Sequence, residues 1–287
     1  MTTIEYVWDW SMDMKSVLAC SMMIALASAA AWSQTTAPAT APAATQAADV
    51  DKVDPAAKKI LDALEAAGLK HKTIRTDLNY EVTNPSLGDT ETRTGYVQYQ
   101  KNDPKDFTRF RIHFDTLQQS DGPRVKELKD YAFGPDKDGT QWMSIADYSN
   151  RKLQQLQAAT AGEAVEPLKI GEGPFPIPFG QKTQDVLKCC DVTTRPPKAG
   201  DPKNTDYIRL VPKPGYEDKL NFAVLEMWID RDMGLPVKIV SREHNKTATT
   251  VIFIKDTIKL NQKMDGADFK LVRPAGWSLE VKPLKKD

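Results

Sequence analysis

At 287 residues, with 40% hydrophobic and 27% charged side chains, the chain holds enough apolar material for one sizeable core. Lys plus Arg and Asp plus Glu balance at 39 each, which argues against nucleic-acid binding, since phosphate recognition needs a surplus of basic side chains on one face. The charges form no long like-signed run of the kind that holds a chain to an anionic membrane surface.

Met14-Lys15 precedes an apolar stretch over residues 17–31, and Ala31-Trp32-Ser33 places small residues one apart ahead of Gln34. A basic start, a short apolar core and such a cleavage site predict a signal peptide over residues 1–33. Asp9 and Asp13 suit no signal sequence, so Met14 is the expected start. The apolar stretch is shorter than the roughly 20 residues of a membrane-spanning helix. A lipoprotein signal ending at Val17-Leu18-Ala19-Cys20 is the rival reading, but it leaves almost no apolar core before Cys20. Cleavage near Ser33 and export to the periplasm are therefore expected. Residues 34–48 are almost entirely Ala, Thr, Pro and Gln, so 34–53 reads as a flexible tether to one domain over 54–287.

Asp54 can cap a helix and Pro55 suits its first position. Ile60, Leu61, Leu64 and Ala67 fall on one side, and Gly68 is the expected stop. Strands follow. Residues 108–115 alternate strictly, with Phe110, Ile112 and Phe114 on one face, which means a sheet with one dry side. Noisier runs cover 74–82, 94–100, 125–133, 141–148, 207–212, 220–230, 236–243 and 249–255, with short closing runs around Phe269 and Trp277. In the strand over 220–230 the dry face stays open between Phe222, Val224 and Trp228 on one side and Leu225, Met227 and Ile229 on the other. Turn signals separate the runs, at Asp138-Gly139, Pro214-Gly215, Asp232-Met233-Gly234 and Asp265-Gly266. Residues 151–163 read as a helix or a polar strand. Residues 171–180 cannot be regular, because three prolines alternate with Phe175, Ile177 and Phe179; this stiff loop is a candidate lid, with a helix over 183–190 behind it. The whole predicts a mainly β fold with flanking helices: one large curved antiparallel sheet, an incomplete half-barrel closed by helices and loops.

The order of these segments resembles the LolA family of periplasmic lipoprotein carriers, across about residues 59–281. The residues that carry the resemblance are Gly95-Tyr96-Val97-Gln98-Tyr99 with Pro104 and Phe107-Thr108-Arg109-Phe110, then Asp138-Gly139-Thr140-Gln141-Trp142 and Leu210-Val211-Pro212-Lys213 before Leu225-Glu226-Met227-Trp228. Asp268-Phe269-Lys270-Leu271 and Pro274-Ala275-Gly276-Trp277 resemble the family's closing strand pair. The resemblance implies an acyl-binding concave face. Where the family has a base beside the hairpin proline, this chain has Asp103 before Pro104 with Lys101 displaced. The classical opening mechanism and docking to the usual release machinery therefore do not carry over.

The expected function is a periplasmic carrier that holds acyl chains of lipids or lipoproteins non-covalently. Tyr96, Phe110, Ile112, Phe114, Trp142 and Trp228 are the cavity candidates; Phe175, Ile177 and Phe179 are the lid candidates. Each of these, taken singly, is more often an ordinary core residue. The alternatives are an envelope sensor or protein-interaction module on the same fold, and a scaffold whose hollow is packed core. A carrier predicts a large continuous apolar cavity, a sensor a small or filled one. Expected partners are acyl chains and membrane transfer proteins of the inner or outer membrane, with the chain itself a monomer and no nucleic acid bound.

No catalytic residue, metal site or cofactor is expected. His71, His113 and His244 have no ligand spacing and read as solvent-facing. Asp136-Lys137-Asp138-Gly139 lacks the glycine position and closing glutamate of a calcium loop and reads as a tight turn. Glu226 reads as solvent-facing at a sheet edge rather than as a buried acid. Adjacent Cys189 and Cys190 read as one buried and one exposed or idle thiol rather than as a strained ring disulfide.

Overall fold

The structure, a computed structural model, describes residues 54–102, 107–163, 165, 167–171, 173 and 175–284. The predicted signal peptide and tether, and Asp103-Pro104, lie outside them. Helix α1 (Pro55–Lys70) starts as its sequence dictates: the Asp54 carboxylate accepts from the Ala56 N–H at 2.9 Å and Pro55 sits at the first turn. Its buried stripe is Ala57, Leu61, Leu64 and Ala67, with Ile60 at the margin. Gly68 is not the stop. The helix continues to Lys70, and Gly68 instead lets the chain come close: a Cβ there would lie 2.1 Å from the Gly180 Cα.

Six strands follow in chain order: β1 (Thr73–Asn84), β2 (Asp89–Asn102), β3 (Phe107–Gln119), β4 (Val125–Pro135), β5 (Gln141–Asp147) and β6 (Lys152–Ala159), the last placing most of residues 151–163 in a strand. The lid loop leads into α2 (Thr183–Cys189), then β7 (Cys190–Arg195), β8 (Thr205–Pro212), β9 (Val224–Asp230), β10 (Pro236–Arg242), β11 (Ala248–Phe253), the short β12 (Lys259–Leu260) and β13 (Ser278–Lys282). All belong to one sheet in the order β13-β6-β5-β4-β3-β2-β1-β11-β10-β9-β8-β7, with β12 extending the β11 side of β1. Every ladder is antiparallel except β13 on β6. The two ends, β13 and β7, do not pair with each other, so the sheet is an open half-barrel, as expected.

Phe269 falls in a 3₁₀ turn (Gly266–Phe269) rather than a strand, fixed by reciprocal bonds between Asp265 and Asp268. This turn belongs to a segment that leaves β12 and crosses the outer face of the sheet to reach β6. Arg111 donates to the Asp268 carbonyl at 3.3 Å, Trp277 packs edge-on against Tyr148, and Ser278 N–H bonds the Arg151 carbonyl. A parallel final strand is the topological result, because the chain arrives after crossing rather than turning.

Register assigns the faces. Tyr99 pairs Phe110, Val97 pairs Ile112, Phe110 pairs Phe133 and Phe133 pairs Met143, so these residues share the inner side. Leu225 and Met227 pair Ser241 and Ile239, which pair Thr249 and Val251, and these in turn meet the inner side of β1. The dry face of β9 is therefore Leu225, Met227 and Ile229. Trp228 points the other way, into an outer cluster with Tyr207, Val237 and Val240. The inner side is curled. Phe175 packs on Tyr131 of β4 and also lines one cavity with Leu225 of β9, strands six steps apart in the sheet order. Six steps would span about 29 Å if the sheet were flat.

Candidate functional site

The inner face of the half-barrel is the candidate site, and the lid segment already occupies it. Phe110, Ile112 and Phe114 are at most 2% exposed, and Phe175, Ile177 and Phe179 at most 5%. The Phe175 ring meets Tyr80, Phe110 and Tyr131 edge-on at 6.1, 6.3 and 5.0 Å, and Phe179 sits 5.5 Å from Tyr99 and 5.7 Å from Phe253. The void bordered by Phe175, Ile177, Phe222 and Leu225 is about 10 Å³, room for one water at most. The lid candidates and the β3 candidates are packed on one another, and that void is too small for an acyl chain.

The loop stays inside because its backbone is satisfied there. Buried Gln181 accepts from the Ile170 N–H at 3.1 Å and donates to the Leu168 carbonyl at 2.9 Å. Asn221 donates through its side chain to the Gly173 carbonyl and through its backbone to Gly171. Ile177 N–H reaches the Phe175 carbonyl and Phe179 N–H the Ile177 carbonyl, so the prolines leave a tight local ladder. Gly171 and Gly180 take φ of +75° and +73° at the two ends of the segment, a backbone that side chains rarely adopt. Behind the loop the Glu65 carboxylate of α1 accepts from Thr183 N–H, tying α2 to α1.

The other cavity candidates lie elsewhere. Tyr96 is on the outer face, stacked on His113 and covered by Arg75 at 4.6 Å. Trp142 is half-buried on the side opposite Met143. Trp228 donates to Asp201 at 2.8 Å beneath the Lys238 ammonium. In each of these strands both faces carry large side chains, so a lone aromatic does not reveal its side. Tyr80, Tyr99, Phe133, Met143 and Phe253 line the inner wall instead, and the parity of their strand pairs with 110–114 is the signal for β2 and β4.

Charge gathers at the Phe114 end of the inner face. The Arg93 guanidinium lies over the Phe114 ring and bonds Glu91 and Glu127 at 2.5 and 3.0 Å. Lys129 sits 5.7 Å from the Tyr131 ring, and burial lowers its pKa against the pull of Asp147. On the outer face, Asp130 is fully buried and accepts from Arg111 and His113 at 2.9 Å and from Tyr148 at 3.1 Å. His113 is thus half-buried between Asp130 and Asp115, not solvent-facing. His71 is buried as well, against the Met233 carbonyl. Glu226 lies within the sheet on β9, where Tyr207 and Arg242 bond it; burial raises its pKa, and those bonds outweigh burial and keep it lowered. The Asp136–Thr140 segment is a tight turn with Gly139 at φ +89°. Among the described residues no group of three or more His, Cys, Asp or Glu could hold a metal ion, and no helix is long and apolar enough to cross a membrane.

No protein-family model and no curated protein sequence matches the chain. Solved structures do. An outer membrane lipoprotein-sorting protein domain from Vibrio parahaemolyticus is similar at TM-score 0.37 and 9% identity, over 74% of this chain and 97% of that one. MucB is similar at TM-score 0.42 and 15% identity, over 79% of this chain and 66% of its own, and is also solved with MucA. A LolA superfamily protein from Nitrosomonas europaea is similar at TM-score 0.33 and 9% identity, over 75% and 97%. At such identities no cargo, partner or activity passes from these neighbours to this chain.

Proposed function

We propose that the chain is an exported, periplasmic binder of acyl chains whose own proline-spaced loop occupies the site when no guest is present. The observation that carries this reading is the nature of the cover. An extensive apolar wall is closed by an irregular segment bracketed by two positive-φ glycines, where a core of fixed purpose would use a second sheet or a packed helix. Phe175, Ile177 and Phe179 are spaced two apart along that segment and fill the wall much as a hydrocarbon would. A guest gains about 0.8 kcal/mol per buried CH₂ and must displace the loop to do so. Net affinity is then moderate, which suits a carrier that hands its cargo on.

The test is competition. Organic extracts of natively purified protein should contain acyl species by mass spectrometry. Phe175→Ala should weaken the plug, and uptake of a fluorescent fatty acid should rise several-fold over the unmodified chain. Repeated absence of lipid, with no uptake by either protein, would remove the carrier reading. That outcome would leave the same fold as an envelope sensor or protein-interaction module with no transported lipid, a reading favoured by the packing of Phe175 against Phe110 and Tyr131.

A further inference from the structure

Cys189 closes α2 and Cys190 opens β7, so two thiols stand on adjacent residues at a helix-to-strand junction. Both are reduced, and their Sγ atoms are 3.6 Å apart. A disulfide bond is about 2.05 Å long, so closure needs a relative movement of about 1.5 Å. Cys190 is 1% exposed, whereas Cys189 is partly open to solvent. The hydrogen bond with Cys189, together with burial, pushes the Cys190 thiol well above its usual range. Chemistry with an external reagent therefore has to begin at Cys189.

Adjacent Cα atoms are about 3.8 Å apart, below the roughly 4.4 Å at which ordinary disulfides begin. The ring would be strained, and strained disulfides are easily reduced again. Strain falls on the peptide between the two residues. Its N–H holds the last turn of α2 by bonding the Val186 carbonyl, and its carbonyl accepts from Lys213 N–H at 2.9 Å. Ring closure places its strain on the peptide that makes both bonds. The pair is built to be reversible rather than structural.

We propose that Cys189 and Cys190 form a thiol–disulfide exchange site for small disulfides, with Cys189 attacking and Cys190 resolving. Cys189 gives its proton to solvent, and its thiolate displaces one sulfur of R–S–S–R, forming a mixed disulfide and releasing RS⁻. Cys190 then loses its proton and attacks the Cys189 sulfur, breaking the mixed bond and releasing the second RS⁻. Two protein thiols are oxidised, and one external disulfide is reduced to two thiols. The site stands whether or not the inner face takes a guest.

The experiment uses the full chain with Cys20→Ser, so that only this pair reports, incubated with oxidised glutathione and read by intact mass. The pair should lose two hydrogens and regain them in dithiothreitol. Cys190→Ser should stop at a glutathione adduct, and Cys189→Ser should stay unreacted over the same time. A lasting adduct or covalent dimer in the protein with both cysteines, or equal reaction of the two variants, would overturn the assignment. Without any substitution of the pair, iodoacetamide should label Cys189 at least tenfold faster than Cys190; equal labelling overturns it equally.

Discussion

Asp130 keeps its charge in a fully buried position because Arg111, His113 and Tyr148 all donate to it. Burial alone would raise its pKa, and the bonds from His113 and Arg111 outweigh that and hold it below 3.8. The bond to Asp130 is the main reason the His113 pKa lies above 6.5, helped by Asp115 and opposed by burial. Arg111 shares the Asp130 carboxylate with His113, and the Tyr96 ring, 4.6 Å from the Arg75 guanidinium, stacks on the imidazole. The signs follow from linkage. His113 binds its proton more tightly when folded, so its contribution is complete below about pH 6.5 and is lost as pH rises through the raised value. Asp130 contributes above about pH 3.9 and loses its share as pH falls through its lowered value. Urea midpoints should therefore fall between pH 6 and pH 8, and His113→Gln should flatten that decline. A decline unchanged in the variant would assign it to other groups. Asp130→Ala leaves Arg111 without its buried partner and should cost about 3–5 kcal/mol in the same denaturation experiment. At Gly68 two effects oppose. Alanine favours helix by about 1 kcal/mol, but its Cβ would meet the Gly180 backbone. Gly68→Ala should lower the melting temperature, and protease cleavage within 171–180 should accelerate.

The lid loop is the element on which the proposed function turns, and side-chain bonds to its backbone help hold it closed. Gln181 alone serves the backbone at both Leu168 and Ile170. Gln181→Ala should cost about 1–3 kcal/mol, since a buried donor and acceptor lose their partner, and amide exchange at Ile170 should quicken while β3 stays protected. Equal acceleration in β3 would mean that the loop and the sheet open as one unit. The loop's irregularity is legible in the sequence, because alternating prolines forbid helix and ladder alike. Its destination is not. Three apolar side chains spaced two apart suit a flap over an opening as well as a plug within it; only the partners of Phe175 on β1, β3 and β4 distinguish them. The start of α1 was equally legible from Asp54-Pro55. The meaning of Gly68 was hidden, since its neighbour Gly180 lies 112 positions away and no local pattern joins the two.

For the whole molecule, the proposed binding is an exchange of one apolar occupant for another, so ligand and stability are linked. A fatty acid at 100 times its dissociation constant should stabilise the folded chain by about 2.7 kcal/mol and raise the melting temperature. No shift, with uptake also absent, would mark the inner face as ordinary core. The sequence by itself determined the class of fold: period-two alternation at 108–115 and the turn signals between runs specify half-buried antiparallel strands, because side chains alternate across a pleat. It also determined the net charge, since Lys plus Arg and Asp plus Glu balance at 39 each. Tertiary structure decided which side of each strand is inside where both sides are apolar, as at Trp228 against Met227. It also decided that the closing chain crosses the outer face to pair β13 with β6, and that the lid side chains pack on the inner wall. Those three outcomes depend on contacts between residues far apart in sequence, and local periodicity carries no information about which distant surface a side chain will meet.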